Sequence, residues 1–268
     1  MHDALSASLA TLEAAASEPD AVEMVHDARK AMKEFRALLR LVCGPAAGAL
    51  RHRTAEVARG LSGSRDRAAA CEAIDFLDEE GLLLACDHTD ALAALGRDGP
   101  APAEAEVHRA ALRAFATEAR EAIAGAVGQD VMAADVAHAL ARHYRRARQA
   151  AFDGPLAMHE ARKRVVTHRY QMSFVARAFS GRGGRRARRA QALRDLLGAF
   201  QDIETLRPML RKAEPPLPEG TLERLGIAMG RAQKRLRKKA LRRHAALFRR
   251  SPRSFLARYR DILGRDPD

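Results

Sequence analysis

Five basic side chains recur at regular steps near the start of the chain. His26, Arg29, Lys33, Arg36 and Arg40 are separated by 3, 4, 3 and 4 residues, with Lys30 beside them. At about 100° per residue this spacing keeps all five within an arc of roughly 80° on one helix. Cations stacked so closely repel one another unless something anionic lies along them. Successive rungs stand about 5 Å apart along the axis, which suits an anion that itself repeats. A long polyanion is therefore the ligand this spacing fits. Arg can fork two N–H groups onto phosphate oxygens, and Lys supplies a point charge. Histidine adds a neutral donor, or a cation once a nearby anion favours its protonation.

The pattern occurs twice. His159, Arg162 and Arg169 occupy the positions of His26, Arg29 and Arg36 at a gapless offset of 133 residues. Val166 departs, standing in the place of Lys33, with Lys163 and Arg164 close enough on a helix to compensate. His168 falls where the first copy has the apolar Phe35, so it reads as a hydrogen-bonded core histidine rather than a ligand contact. Tyr170 lies on the charged side and could donate to a phosphate or simply close the packing. Other basic groups could widen the site: Arg51 and Arg53 after the first ladder, His143 and Arg146 before the second, and Arg185, Arg186, Arg188 and Arg189 after it. The late run containing Lys234, Arg235 and Lys238 points several ways around its helix, so a solvated face explains it as well as a ligand does. A Gly181-Arg182-Gly183-Gly184 loop could clasp phosphate, although short Gly loops are weak signals.

Any surface helix can turn Arg and Lys to water. Here the face opposite the first ladder carries Val25, Ala28, Met32, Phe35, Leu39 and Val42, a clean apolar stripe. The basic groups keep to a single stripe, each copy begins with His, and there are two copies.

The elements that must position these side chains read as helices throughout. The pattern predicts helices over about 3–17, 20–43, 45–61, 65–80, 103–125, 130–151, 155–179, 183–199, 201–212, 219–249 and 252–263. Pro45, Pro155 and Pro252 suit first helical turns. A second pair of matching segments, Leu61 to Asp66 and Leu197 to Asp202, follows the ladders at an offset of 136. Two matches in the same order imply internal duplication. The expected architecture is all-α, with two pseudo-symmetric antiparallel helical bundles, 1–127 and 128–268, whose ladders face one basic groove or pore.

The segments VHDARKAMKEFRALLRLV and MHEARKRVVTHRYQMSFV, with HYRRARQAA before the second and LGAFQDIETL after it, resemble the conserved histidine alpha-helical domain, the CHAD family. The resemblance spans roughly 20–265. It implies an all-helical fold with a basic central pore, binding of inorganic polyphosphate, location at polyphosphate granules, and no catalysis. His26, Arg29, Lys33 and Arg36 match the family's H-x-x-R-x-x-x-[RK]-x-x-R pattern, and His159, Arg162 and Arg169 match it in the second copy.

Bulk composition bounds the rest. The chain has 268 residues, 47% of them hydrophobic and 4% aromatic, with no Trp and a net charge of +13. Its core should rest on Leu, Val, Phe and Met set between helix-forming alanines. The charge is lopsided: 14 Lys/Arg against 21 Asp/Glu in residues 1–127, and 33 against 13 in residues 128–268. Cys43, Cys71 and Cys86 form no CxxC pair and read as buried free thiols in a reducing compartment. No signal peptide or membrane span is expected, which places the chain in the cytoplasm. No cofactor or metal site is expected either. A nucleic-acid binder is the first rival, although no helix-turn-helix, zinc finger or RNP-type aromatic motif is visible. A phosphate-processing enzyme is the second; it would need metal-holding carboxylates. Glu104 and Glu106 read instead as first-turn helix acids. A scaffold acting through protein contacts is a third reading with no specific interface behind it.

Overall fold

The computed structural model describes residues 1–61, 65–96, 102–125 and 131–264. Among these it is all-α, with eleven helices and no strand. They are α1 (His2–Ala16), α2 (Ala21–Leu39), α3 (Pro45–Gly60), α4 (Arg65–Glu79), α5 (Ala85–Leu95), α6 (Pro102–Gly125), α7 (Ala133–Arg148), α8 (Pro155–Ala178), α9 (Gly184–Arg211), α10 (Glu219–Leu247) and α11 (Pro252–Leu263). The expected division near residue 127 falls on 126–130, outside the described residues, as do the side chains of Arg65 and Asp66.

The first ladder lies on α2. Asp20 caps that helix by accepting from the Val22 and Glu23 amides at 2.8 and 2.9 Å. Its expected apolar stripe is buried in full, from Val25 and Ala28 to Leu39 and Val42. The helix stops at Leu39, short of the expected residue 43, so Arg40 is its C-cap. The second ladder lies on α8. Pro45, Pro155 and Pro252 each open a helix, and Gly44 and Gly154 precede two of them with φ of 109° and 93°.

Two expectations about the helices are corrected. α5 was not anticipated: it is short, no side chain caps it, and it follows an apolar Leu82-Leu83-Leu84 run. The expected pair 183–199 and 201–212 is one helix, α9, because Ala199-Phe200-Gln201 contains nothing that interrupts a helix.

One continuous hydrophobic core joins the first and second halves of the chain. Alanines such as Ala28, Ala119, Ala161 and Ala190 are fully buried and let helices approach closely, while Phe35 meets Phe115 edge-on at 6.3 Å. The two ladder helices touch directly. The Gln171 amide donates to the Ala37 carbonyl at 3.1 Å, and Arg177 pairs with Glu34. α8 turns into α9 through Gly183, at φ 113°, where a Cβ would sit 2.8 Å from the Met172 carbonyl oxygen. The Gly-rich loop is thereby accounted for by chain reversal. The cysteines are free but not buried: Cys43 and Cys86 are exposed, and Cys71 is only partly covered where it packs against the core.

Candidate anion-binding site

Along α2, His26 is exposed, while Arg29, Lys33 and Arg36 are half-buried. Arg29 donates to the Leu61 carbonyl at 2.9 Å, so the ladder is braced by the end of α3. Lys30 is turned toward Asp27 at 3.7 Å on the helix surface. Arg36 and Arg40 have no carboxylate partner among the described residues. The buried Nε of Arg36 makes no hydrogen bond. Burial pushes the Arg36 guanidinium below the ordinary arginine value, and Arg59 adds to the effect. Arg40 is lowered by burial and then by the like charges of Arg36, Arg51 and Arg146.

On α8, His159 Nδ1 lies 3.1 Å from Gln201 Oε1 on α9. With its proton on Nδ1, the ring can donate from Nε2 to an anion only once it is doubly protonated. Arg162 lies over Gly198 of α9, whose ideal Cβ would be 3.7 Å from the guanidinium. Lys163 pairs with Glu160 at 2.7 Å, and Arg164 donates to the Arg146 carbonyl at 3.1 Å. Arg169 stacks 4.3 Å from the Tyr170 ring centroid. Tyr170 itself is buried and gives its hydroxyl to the Lys30 carbonyl at 3.2 Å. His168 is a core residue as expected, but it is not hydrogen-bonded. Both ring nitrogens lack partners inside a cage of Tyr144, Phe248 and Phe255. Burial holds its pKa well below the ordinary value, so the ring is neutral.

The additional basic residues separate into four groups. Arg53 is turned to Glu118 at 3.0 Å and Glu56 at 3.6 Å. Arg185, Arg189, Lys234 and Lys238 are exposed, and Arg235 lies 3.6 Å from Glu80. Arg186 is structural: it donates to the Leu247 carbonyl at 2.7 Å and stacks on Tyr144 and Phe255. Arg40, Arg51, His143 and Arg146, by contrast, line one cleft of about 250 Å³ together with Arg142. Arg142 was missed, although its position one turn before Arg146 on α7 puts both on one face. Also missed were Gln201 and Gly198, which carry no charge to signal a role. The His143 pKa is lowered to about 4, chiefly by burial and then by the charges of Arg40, Arg142 and Arg146. Its Nε2 lies 3.2 Å from the Arg40 carbonyl oxygen.

Among the described residues no group of three His, Cys, Asp or Glu side chains is placed to hold a metal ion. No described helix is long and apolar enough to cross a membrane.

A family model described as the CHAD domain matches residues 1–211. The chain belongs to the CHAD family. The match starts earlier than the resemblance of roughly 20–265 and stops at the last residue of α9. It covers both ladder helices of this CHAD protein and leaves α10 and α11 outside. A comparison with curated proteins finds no match.

Proposed function

We propose that this CHAD protein binds inorganic polyphosphate without turning it over, laying the chain along the ladder faces of α2 and α8. The observation that carries the reading is the state of Arg36 and Arg40. Both are partly buried beside other arginines, and neither is matched by a carboxylate of the described residues. Such an arrangement is self-repelling until an anion arrives. Direct contact between α2 and α8 supports a groove shared by the two halves, in keeping with an internal duplication. The ligand set is His26, Arg29, Lys33, Arg36 and Arg40 from one helix, and His159, Arg162 and Arg169 from the other. Association with polyphosphate granules follows from such binding.

Base stacking has little to work with: among the described residues no Phe or Tyr side chain is exposed, and the chain has no Trp. This favours a ligand without bases over single-stranded nucleic acid. A competition at physiological salt tests the reading, with long-chain polyphosphate set against single-stranded RNA and duplex DNA. Polyphosphate should displace both. Preferential binding of either nucleic acid would overturn it, and so would phosphate release when polyphosphate and a divalent metal are added.

A further inference from the structure

We infer that the cleft between α2, α3 and α7 is a subsite for a terminal phosphate group, the end of a phosphate chain rather than its interior. The identity of the chain rests on the polyphosphate reading, whereas the subsite is argued from its own walls. Four guanidinium groups, from Arg40, Arg51, Arg142 and Arg146, line one space of about 250 Å³. They come from three elements: α2 and α3 pack together, and α7 reaches the end of α2 where His143 Nε2 lies 3.2 Å from the Arg40 carbonyl oxygen. None of the four is paired with a carboxylate of the described residues. Arg51 is anchored by one donation, to the Leu39 carbonyl at 3.1 Å, which leaves further N–H groups for a ligand.

The backbone adds to this charge. Gly44 lines the cleft and is the N-cap of α3, with no side-chain cap, so the positive end of the α3 dipole lies at the same place. His143 is neutral there and contributes no charge that would have to be desolvated.

Two features select a chain end. An interior phosphate unit offers two free oxygens and one charge, while a terminal unit offers three oxygens and a second ionisation near neutral pH. Four forked cations suit the second better. Arg40 is also the last rung of the ladder, at the point where α2 stops. A chain laid along the rungs therefore runs out into this cleft.

Isothermal titration of the full chain with linear tripolyphosphate and with cyclic trimetaphosphate tests the inference. The two have equal phosphorus content, but the ring has no ends. Tripolyphosphate should bind roughly tenfold more tightly or better. Arg142 and Arg146 are exposed, so the Arg142→Ala/Arg146→Ala double variant should stay folded and bring the two ligands close to parity. If that variant unfolds, the Arg142→Lys/Arg146→Lys pair keeps the charge, removes the fork, and should still narrow the preference. Equal affinity in the wild type, or a preference that survives in the variants, overturns the inference. Orthophosphate binding as tightly as tripolyphosphate would make the occupant a free anion and overturn it too. Long-chain polyphosphate is titrated in parallel. Its failure to bind would defeat the ladder reading alone and leave the linear-against-cyclic comparison standing.

Discussion

The Tyr170 hydroxyl donates to the Lys30 carbonyl oxygen at 3.2 Å, so a residue of the second ladder helix is fixed to the backbone of the first. The relative placement of the two basic faces thus depends partly on a buried side chain that carries no charge.

Tyr170→Phe should remove this tie and lower stability by about 1 kcal/mol, read from thermal or denaturant unfolding. Polyphosphate affinity should change little, because the hydroxyl is already engaged. A clear loss of affinity at unchanged stability would show instead that the hydroxyl reaches the ligand.

Arg36→Gln should behave in the opposite sense. It relieves repulsion against Arg59 and removes a buried, unpartnered Nε, so stability should hold or rise. Binding should weaken, and the plot of log affinity against log salt should become shallower by about 1, as expected for one lost phosphate contact. An unchanged salt slope would remove Arg36 from the ligand set.

Acid should destabilise the fold well before the carboxylates titrate. His143 is lowered to about 4, chiefly by burial, while its unfolded value is the ordinary 6.5. Between those values the unfolded chain binds the extra proton, so stability is full above about pH 6.5 and falls as the pH drops toward 4. His143 alone contributes roughly 2 to 3 kcal/mol of that loss. His168 and His244, both lowered by burial, act in the same direction. His168→Leu should flatten the profile, and it should raise stability at neutral pH by about 1–3 kcal/mol, because two unpartnered buried nitrogens disappear. Unfolding midpoints measured from pH 8 to 4 check both statements.

Gly198 separates packing from binding. Its Cβ position is 3.7 Å from the Arg162 guanidinium, an ordinary contact, so Gly198→Ala should be tolerated and gain up to about 1 kcal/mol of helix propensity. Gly198→Leu should push Arg162 aside and weaken polyphosphate binding while circular dichroism stays helical. Equal binding by both variants would mean that Arg162 does not hold ligand.

Much of the fold was legible because helix periodicity and punctuation are local signals. The Gly44-Pro45 and Gly154-Pro155 pairs marked the starts of α3 and α8, and the apolar stripe of α2 was buried residue for residue. α5 escaped because a short helix without a side-chain cap, following a leucine run, has no distinctive period. α9 was cut in two where no breaker stands, and the proline it does contain, Pro208, lies in its last turns. The ladders were legible as charge spacing. The arginine cleft was legible only in pieces, since its walls lie about a hundred residues apart along the chain and only packing unites them. Arg186 shows the reverse failure: a run of arginines looked like one surface, yet one of them is inserted between a carbonyl and two aromatic rings.

The limit of the family match and the limit of the physical unit do not coincide. Tyr144 stacks on Phe255 of α11 at 4.0 Å and donates to the Arg250 carbonyl at 3.0 Å, while Tyr259 donates to the sulfur of Met172. A fragment cut at Arg211 would keep every rung of both ladders and lose the wall behind them. Tyr144, Phe152 and His168 would then meet water, and such a piece should self-associate rather than report on the ligand. Swapping or fusing this domain with another therefore demands a junction beyond Leu263, whatever the edge of sequence likeness advises.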